Sequence, residues 1–163
     1  MAGKKENLSD LDINITSSAA DMHIGIVVSE WNQEITSALL NGAIKTMQDL
    51  GVKKENISVH FVPGSFELPY SAKLLIGNTD VDGVICLGCV IQGETRHFEF
   101  ISNAVANGIT KVSIETKKPV VFGVLTPDNY EQAKDRAGGK LGNKGVEAGA
   151  TVVKMIELKN SLK

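Results

Sequence analysis

Residues 83–91, Gly-Val-Ile-Cys-Leu-Gly-Cys-Val-Ile, run for nine positions without a charged or strongly polar side chain. The run is too short to cross a bilayer as a helix, which takes about 20 apolar residues. A strand with one wet face alternates apolar and polar residues, whereas one that does not alternate has both faces covered. Gly83 to Ile91 therefore reads as the central strand of a parallel sheet. Parallel neighbours cannot be joined by a tight turn; each needs a crossover of a dozen residues or more, ordinarily a helix.

The rest of the chain supplies those crossovers. His23 to Val28 and Pro119 to Leu125 are further apolar runs, and Ile57 to Phe61 alternates as a half-covered strand does. Between the first two strands, Ile35, Leu39, Ala43, Met47 and Leu50 recur at helical spacing, with Asn32 as the expected N-cap and Gly51 as the stop. A second helix is expected from Leu68-Pro69 to about Gly77. A third follows the turn 92–95, with Ile101, Val105, Ile109 and Val112 on its buried stripe. Thr126-Pro127 opens a short helix through Arg136, residues 138–144 form a loop, and a last helix runs from about Gly145 to Asn160. The order βαβαβαβαα predicts an α/β, three-layer, flavodoxin-like sandwich: a four-stranded parallel sheet with helices on both faces.

Residues 1–21 are polar and read as an N-terminal arm; residues 22–163 read as a single domain. The arm carries Lys4, Lys5 and Glu6 and no apolar core of a secretion signal, so a cytoplasmic location is expected. A net charge of −2 offers no electrostatic reason to bind nucleic acid, and no apolar run is long enough for a membrane span.

In sheets of this class ligands bind beyond the carboxyl ends of the strands. The loops there hold Ser29-Glu30-Trp31-Asn32, Pro63-Gly64-Ser65-Phe66-Glu67, Gln92-Gly93-Glu94-Thr95-Arg96-His97 and Phe122 through Thr126. His97 stands out, since it follows a strand and a Gly-rich turn at the start of a helix. An imidazole there can take and return protons near neutrality. His23 and His60 lie at or within strands and read as packing residues. Glu94 and Thr95 serve either as an ordinary helix cap or, with the turn amides, as a phosphate seat. Arg136 is either a cation placed on a helix dipole or a bidentate phosphate clamp. Trp31, the only tryptophan, either stacks on a heterocycle or plugs the neighbouring helix. Cys86 and Cys89 form a C-x-x-C, but a spacing of three in a strand sends them to opposite faces, against a redox pair, and no second pair exists to hold zinc. The glycine-rich loops of ATP and dinucleotide sites are missing.

Val62-Pro63-Gly64-Ser65-Phe66-Glu67-Leu68-Pro69 together with Val90-Ile91-Gln92-Gly93-Glu94-Thr95-Arg96-His97-Phe98-Glu99 closely resembles the 6,7-dimethyl-8-ribityllumazine synthase family. Phe122-Gly123-Val124-Leu125-Thr126, Asn143-Lys144-Gly145 and Glu147-Ala148 match it too, and the likeness runs from about His23 to Lys159. The resemblance implies a transferase of riboflavin biosynthesis. It would condense 5-amino-6-(D-ribitylamino)uracil with 3,4-dihydroxy-2-butanone 4-phosphate, releasing phosphate and water, without metal or cofactor. It implies that Trp31 stacks on the pyrimidine, that Ser65, Phe66 and Glu67 hold the ribityl chain and ring edge, and that Cys89, Val90 and Ile91 line the pyrimidine site. Glu94, Thr95 and Arg136 would bind phosphate, Phe122 would enter from a neighbouring subunit, and His97 would shuttle protons. Glu147 would orient His97 or pair with Arg136.

Two positions depart mildly from the family pattern. Trp31 stands where phenylalanine is also common, and Gln92 where a basic residue is frequent. The family forms homo-pentamers, and the 138–143 turn, Gly-Gly-Lys-Leu-Gly-Asn, is similar to that of members that build twelve pentamers into an icosahedral sixty-subunit shell. Riboflavin synthase is the partner such a shell could enclose. A flavodoxin-like flavin carrier would need a Ser/Thr/Gly-rich phosphate loop after the first strand, which residues 29–33 do not provide. A catalytically silent shell protein would lack His97 or Arg136, and both are present.

Overall fold

The computed structural model describes residues 9, 10, 14 and 18–162. Most of the expected arm, residues 1–8, 11–13 and 15–17, lies outside the described residues. The chain folds as β1 (Ile24–Ser29), α1 (Gln33–Asp49), β2 (Ile57–Val62), α2 (Leu68–Asn78), β3 (Gly83–Cys89), α3 (His97–Thr116), β4 (Val120–Leu125), α4 (Tyr130–Asp135), β5 (Ala137–Gly139), β6 (Gly142–Asn143) and α5 (Lys144–Ser161). The four long strands form one sheet, ordered β2-β1-β3-β4 and parallel throughout. This is the expected α/β sandwich, with β3 hydrogen-bonded on both sides.

The period-two geometry of a strand divides the core into two layers. Ile24, Ile26, Val28, Ile85, Leu87 and Cys89 face α1 and α5, where they meet Ile35, Leu39, Met47, Val152 and Ile156. Val27, Val84, Cys86 and Val124 face α2 and α3, against Leu68, Ala72, Val105 and Ile109. Every residue of β1 and β3 is buried. Each large aliphatic side chain so covered contributes about 1.5–3 kcal/mol of transfer free energy. β2 is an edge strand whose burial does not follow the alternation of its sequence: the neighbouring His60 and Phe61 are both exposed, and His60, like the exposed His23, is not the packing residue its strand position suggested.

α1 ends as its glycine requires. Gly51 takes a left-handed φ of 97°, its N–H donates to the Gln48 carbonyl, and the Val52 N–H donates to that of Met47, which together make a Schellman closure. Asn32 stands at the N-cap but does not cap with its side chain. It adopts a left-handed φ of 59°, its carbonyl accepts the N–H groups of Ile35 and Thr36, and its side-chain amide reaches elsewhere.

Three boundaries differ from the sequence reading. The β3 ladder stops at Cys89 rather than Ile91. The Val90 N–H still donates to the Leu125 carbonyl, at 2.8 Å, but the next rung would have to come from Pro127, which has no N–H. Pro127 is therefore the end of a ladder, not the start of a helix; its carbonyl accepts from Gln92, and α4 begins only at Tyr130, where the Asn129 side chain accepts the Gln132 N–H. Residues 138–144 are not a plain loop. Ala137 pairs with Asn143 and Gly139 with Gly142 as a short antiparallel hairpin, turned by Gly138 and Gly142 at positive φ. α5 then starts at Lys144, with the Asn143 side chain accepting the Gly145 N–H.

α1 and α5 lie so close that glycine is the only residue that fits at the contact. A Cβ on Gly145 would sit 1.8 Å from the Leu39 carbonyl oxygen. Backbone cannot yield as a flexible side chain can, so Gly145→Ala is expected to cost about 3 kcal/mol and lower the thermal midpoint by roughly 5–10 °C. Differential scanning calorimetry checks this, and an unchanged midpoint would mean that the two helices part freely.

Candidate functional site

The carboxyl ends of β1, β2 and β3 surround a cavity of about 350 Å³. Its walls are Trp31 and Asn32 after β1, Gly64, Ser65 and Phe66 after β2, and Cys89, Val90 and Ile91 after β3, with His97 and Ile101 from α3. The structure thus brings together seven of the residues singled out from sequence. The Asn32 amide donates to the Cys89 carbonyl at 2.9 Å and ties the loop after β1 to the end of β3. This bond explains the left-handed backbone at Asn32, and it leaves Trp31 turned outward, with 73% of its surface exposed beside the cavity. Gly64 gives room on the other side, since a Cβ there would lie 3.1 Å from the Glu67 carboxylate and 3.6 Å from Trp31 Cδ1. Glu67 therefore sits beside the aromatic, just outside the cavity wall.

Ser65 is buried, and its hydroxyl has no hydrogen-bond partner among the described residues. It fits because Gly88 of β3 has no side chain; a Cβ there would meet Ser65 Oγ at 2.5 Å. Leaving a hydroxyl buried and unpaired costs about 1–3 kcal/mol, which a polar group bound beside it would recover.

His97 is the first residue of α3 and is exposed at the cavity wall. Its backbone N–H makes a long contact with Thr95 Oγ1, at 3.4 Å. Glu94 and Thr95 are exposed in the turn leading to it and do not themselves line the cavity. Arg96 turns away, paired with Glu99 and stacked over Phe100. The start of α3 therefore presents His97 in the same cavity wall as Trp31 and Phe66.

The two cysteines behave as their spacing demands. Cys86 faces α2, and Cys89 faces α1 and α5 and reaches the cavity wall; both are free thiols. Burial pushes the Cys86 thiol up to about 12 and that of Cys89 up to about 11.

Phe122 and Arg136 are not in the His97 cavity. Phe122 lines a second concavity, of about 310 Å³, at the open edge of β4 between α3 and α5, together with Lys144, Glu147 and Met155. Glu147 gathers the cations on this side. Its Oε1 accepts from Arg136 at 2.5 Å and its Oε2 from Lys144 at 3.2 Å, while Arg136 also donates to the Leu141 carbonyl at 2.7 Å. Of the two partners open for Glu147, the structure gives it Arg136, and Lys144 as well. Lys144 is a cation that the sequence reading did not single out. Its signal was the i,i+3 spacing to Glu147, which is indistinguishable in sequence from a solvated helical pair.

A family model described as 6,7-dimethyl-8-ribityllumazine synthase matches residues 21–160, nearly the whole chain. This chain belongs to that family. Among its relatives, the 6,7-dimethyl-8-ribityllumazine synthase of Cytophaga hutchinsonii is 54% identical over 156 residues, covering 96% of this chain and 98% of the other. That of Parabacteroides distasonis is 49% identical over the same length, and that of Bacteroides fragilis 50% identical over 141 residues. Membership of the lumazine synthase family makes the chain an enzyme of riboflavin biosynthesis.

In this lumazine synthase fold both thiols should stay protonated at pH 8, so an aromatic disulfide reagent should label neither cysteine within minutes in the native protein and both once unfolded. The sign for stability follows from the raised values. The unfolded thiols ionise near their ordinary pH of about 9 while the folded ones do not, so stability is full below that pH and falls as it is exceeded. Rapid native labelling of Cys89 would show that the thiol is far less shielded than its burial implies.

Proposed function

We propose that this protein condenses 5-amino-6-(D-ribitylamino)uracil with 3,4-dihydroxy-2-butanone 4-phosphate to give 6,7-dimethyl-8-ribityllumazine, phosphate and water, as a cytoplasmic transferase whose site is completed by a neighbouring subunit. The observation that carries the reading is His97 in the wall of a cavity flanked by Trp31 and Phe66, on a chain that the family matches nearly end to end.

The pyrimidine lies against Trp31, between it and the wall of Cys89, Val90 and Ile91. Ser65, Phe66 and Glu67 take the ribityl chain and ring edge, and the unpaired Ser65 hydroxyl gains a partner there. His97 moves protons as amine and ketone join in an imine, taking one from the nucleophile and returning one to the departing oxygen. Glu94, Thr95 and the amides at the start of α3 receive the phosphate from one subunit. Arg136 receives it from the next, with Lys144 beside it and Phe122 closing the pocket. A planar guanidinium on a leaving phosphate stabilises the charge that develops as the C–O bond breaks.

Placing half a site on each of two different surfaces is the arrangement of a heterologous interface, which closes into a ring. The homo-pentamer is such a ring, and the glycine-rich hairpin at 137–143 supports its assembly into a sixty-subunit shell, with riboflavin synthase, the consumer of the product, as a candidate for enclosure. Light scattering at the mass of sixty subunits is expected, and pentamers or decamers alone would overturn the shell.

Two kinetic measurements test the chemistry. Free phosphate and fluorescent lumazine should appear together with the native protein, and His97→Ala should slow both by about 10²–10⁴. Full activity in the variant would reduce His97 to packing, and absence of product from the folded native protein would sink the assignment. For the shared site, His97→Ala and Arg136→Ala chains co-expressed at equal levels should regain about a quarter of native activity, because one interface in four then pairs both intact residues. No recovery in verified mixed oligomers would place both residues in one subunit's site.

A further inference from the structure

Within the arm, Ser9 makes a paired contact with the hairpin that carries Arg136 and Lys144. The Ser9 hydroxyl accepts the Asn143 N–H at 2.6 Å and donates to the Asn143 carbonyl at 2.9 Å. One side chain thereby satisfies both backbone groups on the outward edge of β6. Those groups are free because Ala137 and Asn143 are a non-hydrogen-bonded pair of the hairpin, whose nearest rung is the Lys144 N–H to the Arg136 carbonyl at 2.9 Å.

Asn143 is held from every other side as well. Its side-chain amide donates to the Ala38 carbonyl of α1 at 3.0 Å, and its side-chain oxygen accepts the Gly145 N–H at 2.8 Å. The residue after it is Lys144, and the residue across the rung is Arg136. The Arg136 guanidinium in turn leans on the Leu141 carbonyl inside the same hairpin. The hairpin register therefore sets where both cations stand. The Leu141 N–H on the Asp135 carbonyl and the Lys140–Asp135 pair also hold it, while Gly139 and Lys140 are exposed and two of its glycines sit at positive φ.

We propose that Ser9 is a positioning residue for the phosphate half-site: by closing the open edge of β6 at Asn143, the arm holds Arg136 and Lys144 at the spacing that a phosphate monoester requires. The inference rests on the reading of Arg136 as a phosphate ligand. It makes the N-terminal arm part of substrate selection and separates its role from that of the aromatic cavity, which Ser9 does not touch.

The test uses full-length Ser9→Ala and Ser9→Thr. With the pyrimidine saturating, the KM for the butanone phosphate and the inhibition constant of inorganic phosphate should both rise about fivefold in Ser9→Ala, the loss expected for a backbone edge left to water. The KM for the pyrimidine and kcat should stay within twofold, and Ser9→Thr, which keeps the hydroxyl, should restore both phosphate-linked values. Unchanged phosphate-linked values in Ser9→Ala would overturn the proposal. So would an equal rise in both KM values accompanied by a smaller particle, which would make the arm an assembly element only. Calorimetric titration of inorganic phosphate into native and Ser9→Ala protein reads the same difference without turnover. If the native protein made no lumazine, the functional reading would fail while the titration still judged Ser9.

Discussion

β1 and β3 run side by side from Ile24 opposite Gly83 to Val28 opposite Leu87, and the chain leaves them in opposite directions. From β1 it crosses to β2 through α1 on one face; from β2 it returns to β3 through α2 on the other. No connection can cover the seam where the two paths diverge, so a cleft opens at its carboxyl end. The ladder fails at the same place, because Pro127 cannot supply the rung that would continue β3 past Cys89. Backbone freed from the sheet becomes cavity wall at Val90 and Ile91. The Asn32 amide on the Cys89 carbonyl then fixes how wide the cleft stands and where Trp31 points. One topological fact and two hydrogen-bonding facts account for the position of the aromatic cavity.

Much of this was legible from the chain. A run as apolar as Gly83–Ile91 has one stable environment, and the stripe Ile35, Leu39, Ala43, Met47 has one buried face; both elements lie where their patterns put them. The separation of Cys86 from Cys89 followed from strand geometry alone. The misses share a cause, which is that local signals have two meanings until tertiary partners are known. Thr126-Pro127 reads as a helix start because proline suits a first turn, but β3 needed its carbonyl for a rung. Asn32 reads as a cap because asparagine caps, yet its amide had a better partner at Cys89. Glycines at 138 and 142 read as loose loop, whereas paired positive-φ turns made them a hairpin.

The candidate site was legible as a set of residue types and illegible as an arrangement. Sequence order does not say on which surface of the fold a residue lies. Arg136 and Glu94-Thr95 read as one phosphate seat, but the fold sets Arg136 apart from the His97 turn, paired with Glu147 beside Phe122 at the open edge of β4. Lys144 stood in a quoted motif without a role for a related reason, since its charge acquires meaning only through the hairpin that brings it beside Arg136 and Glu147.

Glu147 poses the remaining question of what a carboxylate does between Arg136 and Lys144. Arg136 and Glu147 are each only 18% exposed on their side chains, so two unscreened cations there would repel each other strongly. A carboxylate between them cancels that repulsion and orders both donors before any ligand arrives, which removes the entropic cost of gathering two long side chains at the moment of binding. The group keeps one net positive charge. That is enough to favour an anion, and less than two unopposed cations would give.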